Sequence, residues 1–149
     1  MPNAMGRVAL VQVFTWFAWF CFNTLNTAWW GHDIMHGDAS AASGTPAAVL
    51  YSKGLQYGGR AGAIQAGVQL IASLLLLKWI IPRFGIKGSY FGCLIATCAC
   101  FFGAFFSWSM ENPTPQLNID GAFASVGLSG IGLAATNIMP FTLGAQTAV

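Results

Sequence analysis

Between Arg7 and His32 the chain carries no charge, and this uncharged stretch, Val8 to Trp30, constrains what the rest can fold into. A helix that crosses a ~30 Å hydrocarbon core needs about 20 mostly apolar residues. Val8 to Trp30 has that length, and three further runs resemble it. They are Ala61 to Leu77, interrupted only by Gln65, Gln69 and Ser73, then Tyr90 to Trp108, and last Ala122 to the C-terminus, notched by Pro140. The pattern predicts an all-α, polytopic membrane protein. Its four transmembrane helices would cover residues 8–30, 57–77, 89–108 and 122–147 in one membrane domain. Charged residues make up 7% of the 149, against roughly 25% in soluble domains, so a water-soluble surface cannot be built. With 56% of the residues hydrophobic, disorder is excluded, and with six basic residues a nucleic-acid surface is excluded too. The first run exceeds the 7–15-residue apolar core of a signal peptide and lacks a small-residue cleavage site after it, so it counts as a span.

The few charges orient the spans. Lys78, Arg83 and Lys87 fall in the second connection without an acid, whereas Glu111 and Asp120 fall in the third without a base. Basic loops stay cytoplasmic. The N-terminus with Arg7 and the C-terminus are therefore expected inside, and the loop with Asp33 and Asp38 outside. Whether the membrane is the plasma membrane or an organelle's stays open. Gly37 to Pro46 (GDASAASGTP) reads as a flexible external link, and ENPTPQLNID from Glu111 as a proline-containing turn. PRFGIKG reads as a tight inner hairpin in which Pro82 and Gly85 stop one helix and Gly88 precedes the next. Cys21, Cys93, Cys98 and Cys100 all lie in expected spans, where cysteine serves as a small hydrophobe.

The first helix has the most informative face. At 100° per residue, Gln12, Trp16, Trp19, Asn23, Asn26, Thr27 and Trp30 share an arc of roughly 100°. Polar groups in hydrocarbon need partners, so this arc must face protein or a water-filled cavity. Indoles interleaved with amides suit a carbohydrate, whose rings offer C–H faces for stacking and hydroxyls for hydrogen bonds. For Trp29 and Trp30 an interfacial aromatic belt is an equal reading. On the second helix Gly54, Gly58, Gly62, Ala66 and Ser73 share a face with Gln65 and Gln69, which favours close helix packing with amides reaching across. Gly88, Gly92 and Ala96 mark a similar edge on the third. On the fourth, Pro140 cannot donate to the carbonyl of Thr136, so the helix should bend at Thr136-Asn137. Such a bend fits a kinked packing helix and a cavity-lining one equally.

His32-Asp33-Ile34-Met35-His36 has the HDxxH form of the histidine boxes in membrane di-iron desaturases. Those sites combine several boxes on the cytoplasmic side, whereas this chain has two histidines, placed outside by the charge rule. No Ser-His-Asp set, phosphate loop or pair of mid-membrane carboxylates supports another chemistry. The sequence reads as a non-enzyme without a metal or organic cofactor.

Three segments carry a family resemblance. FTWFAWFCFNTLNTAWWGHDIMHG, Phe14 to Gly37, resembles the seventh helix and following loop of the sucrose/proton symporters, in the glycoside-pentoside-hexuronide group of the major facilitator superfamily. That region of the family reads TWxAWFPFxxFDTDWMGRExYxG. Tyr51-Ser52-Lys53-Gly54 with Gly58 is similar to its Y-D-K/R-G-V-R-x-G, and GIGLAATNIMPFTLGA, Gly130 to Ala145, to its GxPLAxTxSxPFALAS. The chain departs from these patterns at Cys21, Asn26, Ala28, His32-Asp33 and Gln56, where the family has a proline, two acids, Arg-Glu and an arginine. The resemblance implies helices seven to ten of a twelve-helix transporter, part of its C-terminal half bundle. It implies a sugar substrate, sucrose or a related glycoside, and a proton as coupling ion taken up by an acid in the first half. Trp16, Trp19, Asn23, Asn26, Thr27, Gln65, Gln69, Thr136 and Asn137 are then the candidate sugar-binding residues. The expected partners are the sugar, the bilayer and the remaining helices. A free-standing four-helix scaffold or subunit acting as an oligomer is the alternative.

Overall fold

The computed structural model describes residues 2–109 and 115–147, and among them every regular element is helical. Helix α1 runs Pro2–Trp29 and widens into a π-helical turn, Trp30–Ile34. Helix α2 covers Pro46–Leu75 and passes through a second π-helical turn, Leu76–Ile80, into α3, Ile81–Ser109. Helices α4, Pro115–Leu128, and α5, Gly130–Thr147, are separated only by Ser129. Residues 110–114, and with them the first part of the expected ENPTPQLNID turn, lie outside the described residues, whereas its remainder, Pro115 to Asp120, is not a turn but the start of α4.

Among the described residues three stretches of helix, not four, are long and apolar enough to cross a membrane: Gly6–Ile34, Pro46–Phe106 and Asn118–Pro140. The expected second and third spans are fused because no loop replaces helix at the basic connection. One residue makes the break there, Gly85, with φ 70° and ψ 167°. That region of backbone space is open almost only to glycine. The chain doubles back at this point. Cys93 lines one cavity with Val68, Ala72 and Leu76, whereas in a straight helix it would lie about 25 Å from Leu76. Pro82 and Gly88, expected as stop and start signals, are both helical and exposed.

Helix α2 begins three turns before the expected span because the loop after α1 supplies its own start. Pro46 takes the first helical position and the Thr45 hydroxyl accepts from the Ala48 N–H at 3.4 Å. The loop before it is pinned, contrary to the flexible link its composition suggests. Gly37 N–H donates to Gly31 O at 2.9 Å and Asp38 N–H to Ala47 O at 3.2 Å. Gly37 lies so close to the Tyr51 backbone that no side chain fits.

The α4–α5 rod is the centre of the structure. Of its most apolar stretch 56% is buried, against 6% for α1. Two apolar clusters sit around it: Ala72, Leu76, Ile86, Cys93, Ala134, Ala135 and Met139 at one level, and Trp30, Ile34, Ala61, Ala122 and Val126 at the other. Small residues on the rod let the neighbours close in, since lipid supplies no hydrophobic drive for helices to associate. A Cβ at Gly130 would meet the Gln65 carbonyl, and one at Gly132 the Thr97 hydroxyl. Of the expected small-residue faces only part is used. Gly54 and Gly58 pack under Trp30, but Gly62 faces open space and Ala66 is exposed. On α3, Gly88 and Gly92 are exposed, and the buried face is Ile86, Ser89, Cys93 and Thr97.

Gly85→Ala should destabilise the α2–α3 reversal by about 1–3 kcal/mol. Gly88→Ala, whose new methyl would meet only the Phe84 Cβ of the same helix at 3.8 Å, should be neutral or stabilising by up to about 1 kcal/mol. Thermal unfolding of the two variants in detergent checks the contrast.

Candidate functional site

Proline at position 140 removes the N–H that would bond the carbonyl of Thr136. In hydrocarbon that carbonyl must find another donor, and it does. Gln12 Nε2 donates to Thr136 O at 3.0 Å across the α1–α5 contact. The Thr136 hydroxyl donates to Gly132 O at 2.9 Å and accepts from Trp19 Nε1 at 3.2 Å. Two α1 side chains seven residues apart thus converge on one α5 residue. Trp19 is fixed further by Phe22 and Phe101, at ring-centre distances of 5.7 and 6.1 Å. A parallel bond joins α2 to the α4–α5 junction: Gln65 Nε2 donates to Ser129 Oγ at 2.8 Å, and Ser129 Oγ donates to Val126 O at 2.6 Å.

These bonds divide the nine candidate residues. Trp19, Gln65 and Thr136 are buried, and the hydrogen-bonding atoms just named are engaged within the protein. Their geometry is that of helix fasteners, whereas the sequence grouped them with the sugar-facing set. Trp16, Asn23 and Thr27 are exposed. They lie about 20–60° to one side of Gln12 on the helix wheel, and Thr15, Phe22 and Asn26 lie about 40–80° to the other. Thr15 and Phe22 meet Tyr90 and Phe101 of α3, so the exposed trio is turned away from α3. Gln69 and Asn137 are half-buried, and the Gln69 backbone lies against Gly130. Asn26 is half-buried and borders a cavity of about 480 Å³ at the C-terminal ends of α1 and α3, with Phe22, Leu25, Trp29, Asp33 and Phe101. Its Oδ1 is one of three buried side-chain atoms without a hydrogen-bond partner among the described residues, with Gln12 Oε1 and Trp30 Nε1.

Trp30, expected either on the sugar-facing arc or in an interfacial belt, is instead a core residue. It is fully buried, packs on Gly58 and lies 4.8 Å from the Phe123 ring centre. His32 is exposed with its ring 5.0 Å from that of Tyr51. Among the described residues no group of three or more His, Cys, Asp or Glu side chains could hold a metal. In the loop, Asp38 Oδ1 accepts from the Ser40 hydroxyl at 2.7 Å and the Ser40 N–H at 2.8 Å. These bonds, the hydroxyl's foremost, hold the Asp38 carboxyl below the usual carboxylate range against a smaller opposing effect of desolvation, and nearby His32 contributes least.

With this geometry in hand, the chain can be set beside known proteins. It is 26% identical to Solute carrier family 45 member 3 of Homo sapiens, over 96% of the chain and 24% of the relative. It is 28% identical to Sucrose transport protein SUT1 of Oryza sativa subsp. japonica, over 99% of the chain and 29% of the relative. To Sucrose transport protein SUC3 of Arabidopsis thaliana it is 30% identical, over 69% of the chain and 17% of the relative. The chain resembles the sucrose transporters. That resemblance runs over most of its length at modest identity, in agreement with the three motifs. The chain spans less than a third of each of these relatives. No family model matches it, and no solved structure does. The relatives and the long apolar helices together make this a multi-pass membrane protein.

Sequence reasoning found Thr136 and the defect at Pro140 but not the role of Gln12 as the donor that repairs it. It also missed Ser129 as a break in the last helix. The local signal for the second was present in Ser129-Gly130-Ile131-Gly132, where two glycines flank the crossing points of α2 and α3.

Gln12→Leu should cost about 1–3 kcal/mol by leaving a buried carbonyl unpaired. In a Pro140→Ala background, where the new alanine's backbone N–H can bond Thr136 O, most of that cost should vanish. Unfolding free energies of the single and double variants in micelles check it. Asp38 gives a second expectation. Its folded-state pKa is depressed, so its contribution is present above about pH 4 and lost as the pH falls through the folded value. Ser40→Ala should raise the Asp38 pKa, read by NMR titration of the carboxyl carbon.

Proposed function

We propose that this chain forms helices seven to ten of a major-facilitator sugar transporter, and that within the complete transporter it helps move sucrose or a related glycoside across the membrane. The observation that carries the reading is the exposed flank of α1, where Trp16, Asn23 and Thr27 set an indole, an amide and a hydroxyl along one edge of a largely apolar helix. Such a flank has no place against lipid tails. An indole face stacks on the C–H face of a sugar ring, and the amide and hydroxyl pair with its hydroxyls. The similarity to two proteins named for sucrose transport supports the substrate class.

In this reading Trp16, Asn23 and Thr27 line the sugar path, with Gln69, Asn137 and Asn26 at its margins. Trp19, Gln65 and Thr136 act as positioning residues that hold α1 and α2 against the α4–α5 rod. Coupling to a proton requires an acid in the path, which the family resemblance assigns to helices outside this chain. The basic second connection supports a cytoplasmic N-terminus. The relatives' names describe transporters and support a non-catalytic role.

Uptake of labelled sucrose into vesicles by the full-length transporter tests the reading. Asn23→Ala and Trp16→Ala should each raise KM by about 2- to 10-fold, the worth of one net hydrogen bond or comparable contact. Trp19→Phe should instead lower the amount of folded protein and leave KM nearly unchanged. Unaltered uptake in both flank variants would sink the lining role.

A further inference from the structure

The face of α2 opposite its buried side has a chemistry that sugar transport does not use. Gly54, Gly58, Ala61, Gln65, Ala72 and Leu76 point inward. Lys53, Gln56 and Arg60 lie about 100–160° away on the helix wheel and are all exposed. Below them, on the same face, are Ile64, Ile71 and Leu74, exposed by 48, 60 and 63%. The two cations bracket one ring: Lys53 Nζ and the Arg60 guanidinium each lie 5.7 Å from the centre of Tyr57. Tyr57 is itself held by Phe123 at 5.7 Å and Trp30 at 6.3 Å. Toward the loop, Lys53 and Gln56 border a cavity of about 500 Å³ with Ser43, Gly44 and Ser52, and no acid is among its lining residues.

From this arrangement we infer that α2 carries a binding site for an anionic phospholipid, with the phosphate between Lys53 and Arg60 and an acyl chain along Ile64, Ile71 and Leu74. Two like charges about 10 Å apart along the helix repel each other only weakly at a solvated surface, but both attract an anion placed between them. The hydroxyl of Ser52 and the amide of Gln56 supply further donors to phosphate oxygens. The apolar residues below offer nothing to a larger polar ligand, but they match a hydrocarbon chain. The aromatic ring fixes the stems of both cations, so the headgroup meets a preformed pair of charges. A docked protein helix would need an acid opposite each cation, and a free anion would leave the apolar stripe unused.

The test is native mass spectrometry of the full 149-residue chain released from mixed micelles, counting retained lipid. Phosphatidylglycerol should be retained in preference to phosphatidylcholine of the same chains. Arg60→Gln and Lys53→Gln should each weaken retention about fivefold, the worth of one basic residue at an anionic surface. Lys78→Gln, an equal change of charge at an exposed residue outside the site, should leave retention unchanged. Inorganic phosphate at millimolar concentration should not displace the lipid. Equal retention of the two lipids, an equal loss with Lys78→Gln, or displacement by inorganic phosphate would each overturn the assignment.

Discussion

A carbonyl without its helical partner is the constraint from which the arrangement of α1 follows. Pro140 leaves Thr136 O open, and a lipid-embedded helix has no water to cover it. Gln12 covers it only if α1 stands beside α5 at that height, and Trp19 bonds the hydroxyl of the same residue. Two bonds from different turns of α1 to one residue of α5 fix both the height and the rotation of α1. Sliding or turning the helix would break both. The exposed flank of Trp16, Asn23 and Thr27 is therefore a consequence of the proline on a different helix, since fixing Gln12 and Trp19 inward leaves those three on the edge.

A second fastening sets α2. Gln65 bonds Ser129 where α4 gives way to α5, and Gly130 lets the α2 backbone approach there. Interhelical hydrogen bonds in membranes are worth about 0.6 kcal/mol on average, so neither bond explains stability by itself. Their effect is directional. With Gln65 turned inward, Gly54 and Gly58 must lie under Trp30, and Lys53 and Arg60 must face outward. Trp30 is the apolar complement of the same arrangement: it fills the space that the two glycines leave.

The run lengths and the Pro140 defect were legible in the sequence because each depends on neighbouring residues alone. The partner of Thr136 was not, for Gln12 lies 124 positions away and helical periodicity does not say which helix it faces. An arc of roughly 100° is also too wide to separate the residues that touch a neighbour from those beside them, and so Trp19 and Asn23 were grouped. The small-residue stripes failed for a geometric reason. Each step of four residues drifts about 40° around a helix, so Gly54, Gly58, Gly62 and Ala66 sweep about 120° and cannot all meet one surface. The buried face keeps its direction by mixing steps, as in Gly54, Gly58, Ala61, Gln65 and Ala72. Counting four spans failed because charge in a connection implies an exposed segment but not a non-helical one. Lys78, Arg83 and Lys87 are exposed on helical turns, and Gly85 by itself reverses the chain.

What separates structural from functional polarity here is whether the polar atoms find protein. Gln65, Ser129, Thr136 and Trp19 close on one another, and Thr97 and Ser89 bond carbonyls of their own helix. The bonded atoms of these groups are engaged within the protein. Asn23 is exposed along a helix whose other exposed residues include Leu10, Phe14, Phe17, Phe20 and Leu25. An amide among such residues costs free energy against lipid tails and little against water or a sugar. A threonine hydroxyl on such a helix can bond its own backbone, as Thr24 does to Phe20 O at 2.8 Å, whereas the Asn23 amide is the more costly group to leave among lipid tails. The hydrogen bonds to Thr136 hold α1 in the rotation that leaves Asn23 and Thr27 exposed on the flank turned away from α3.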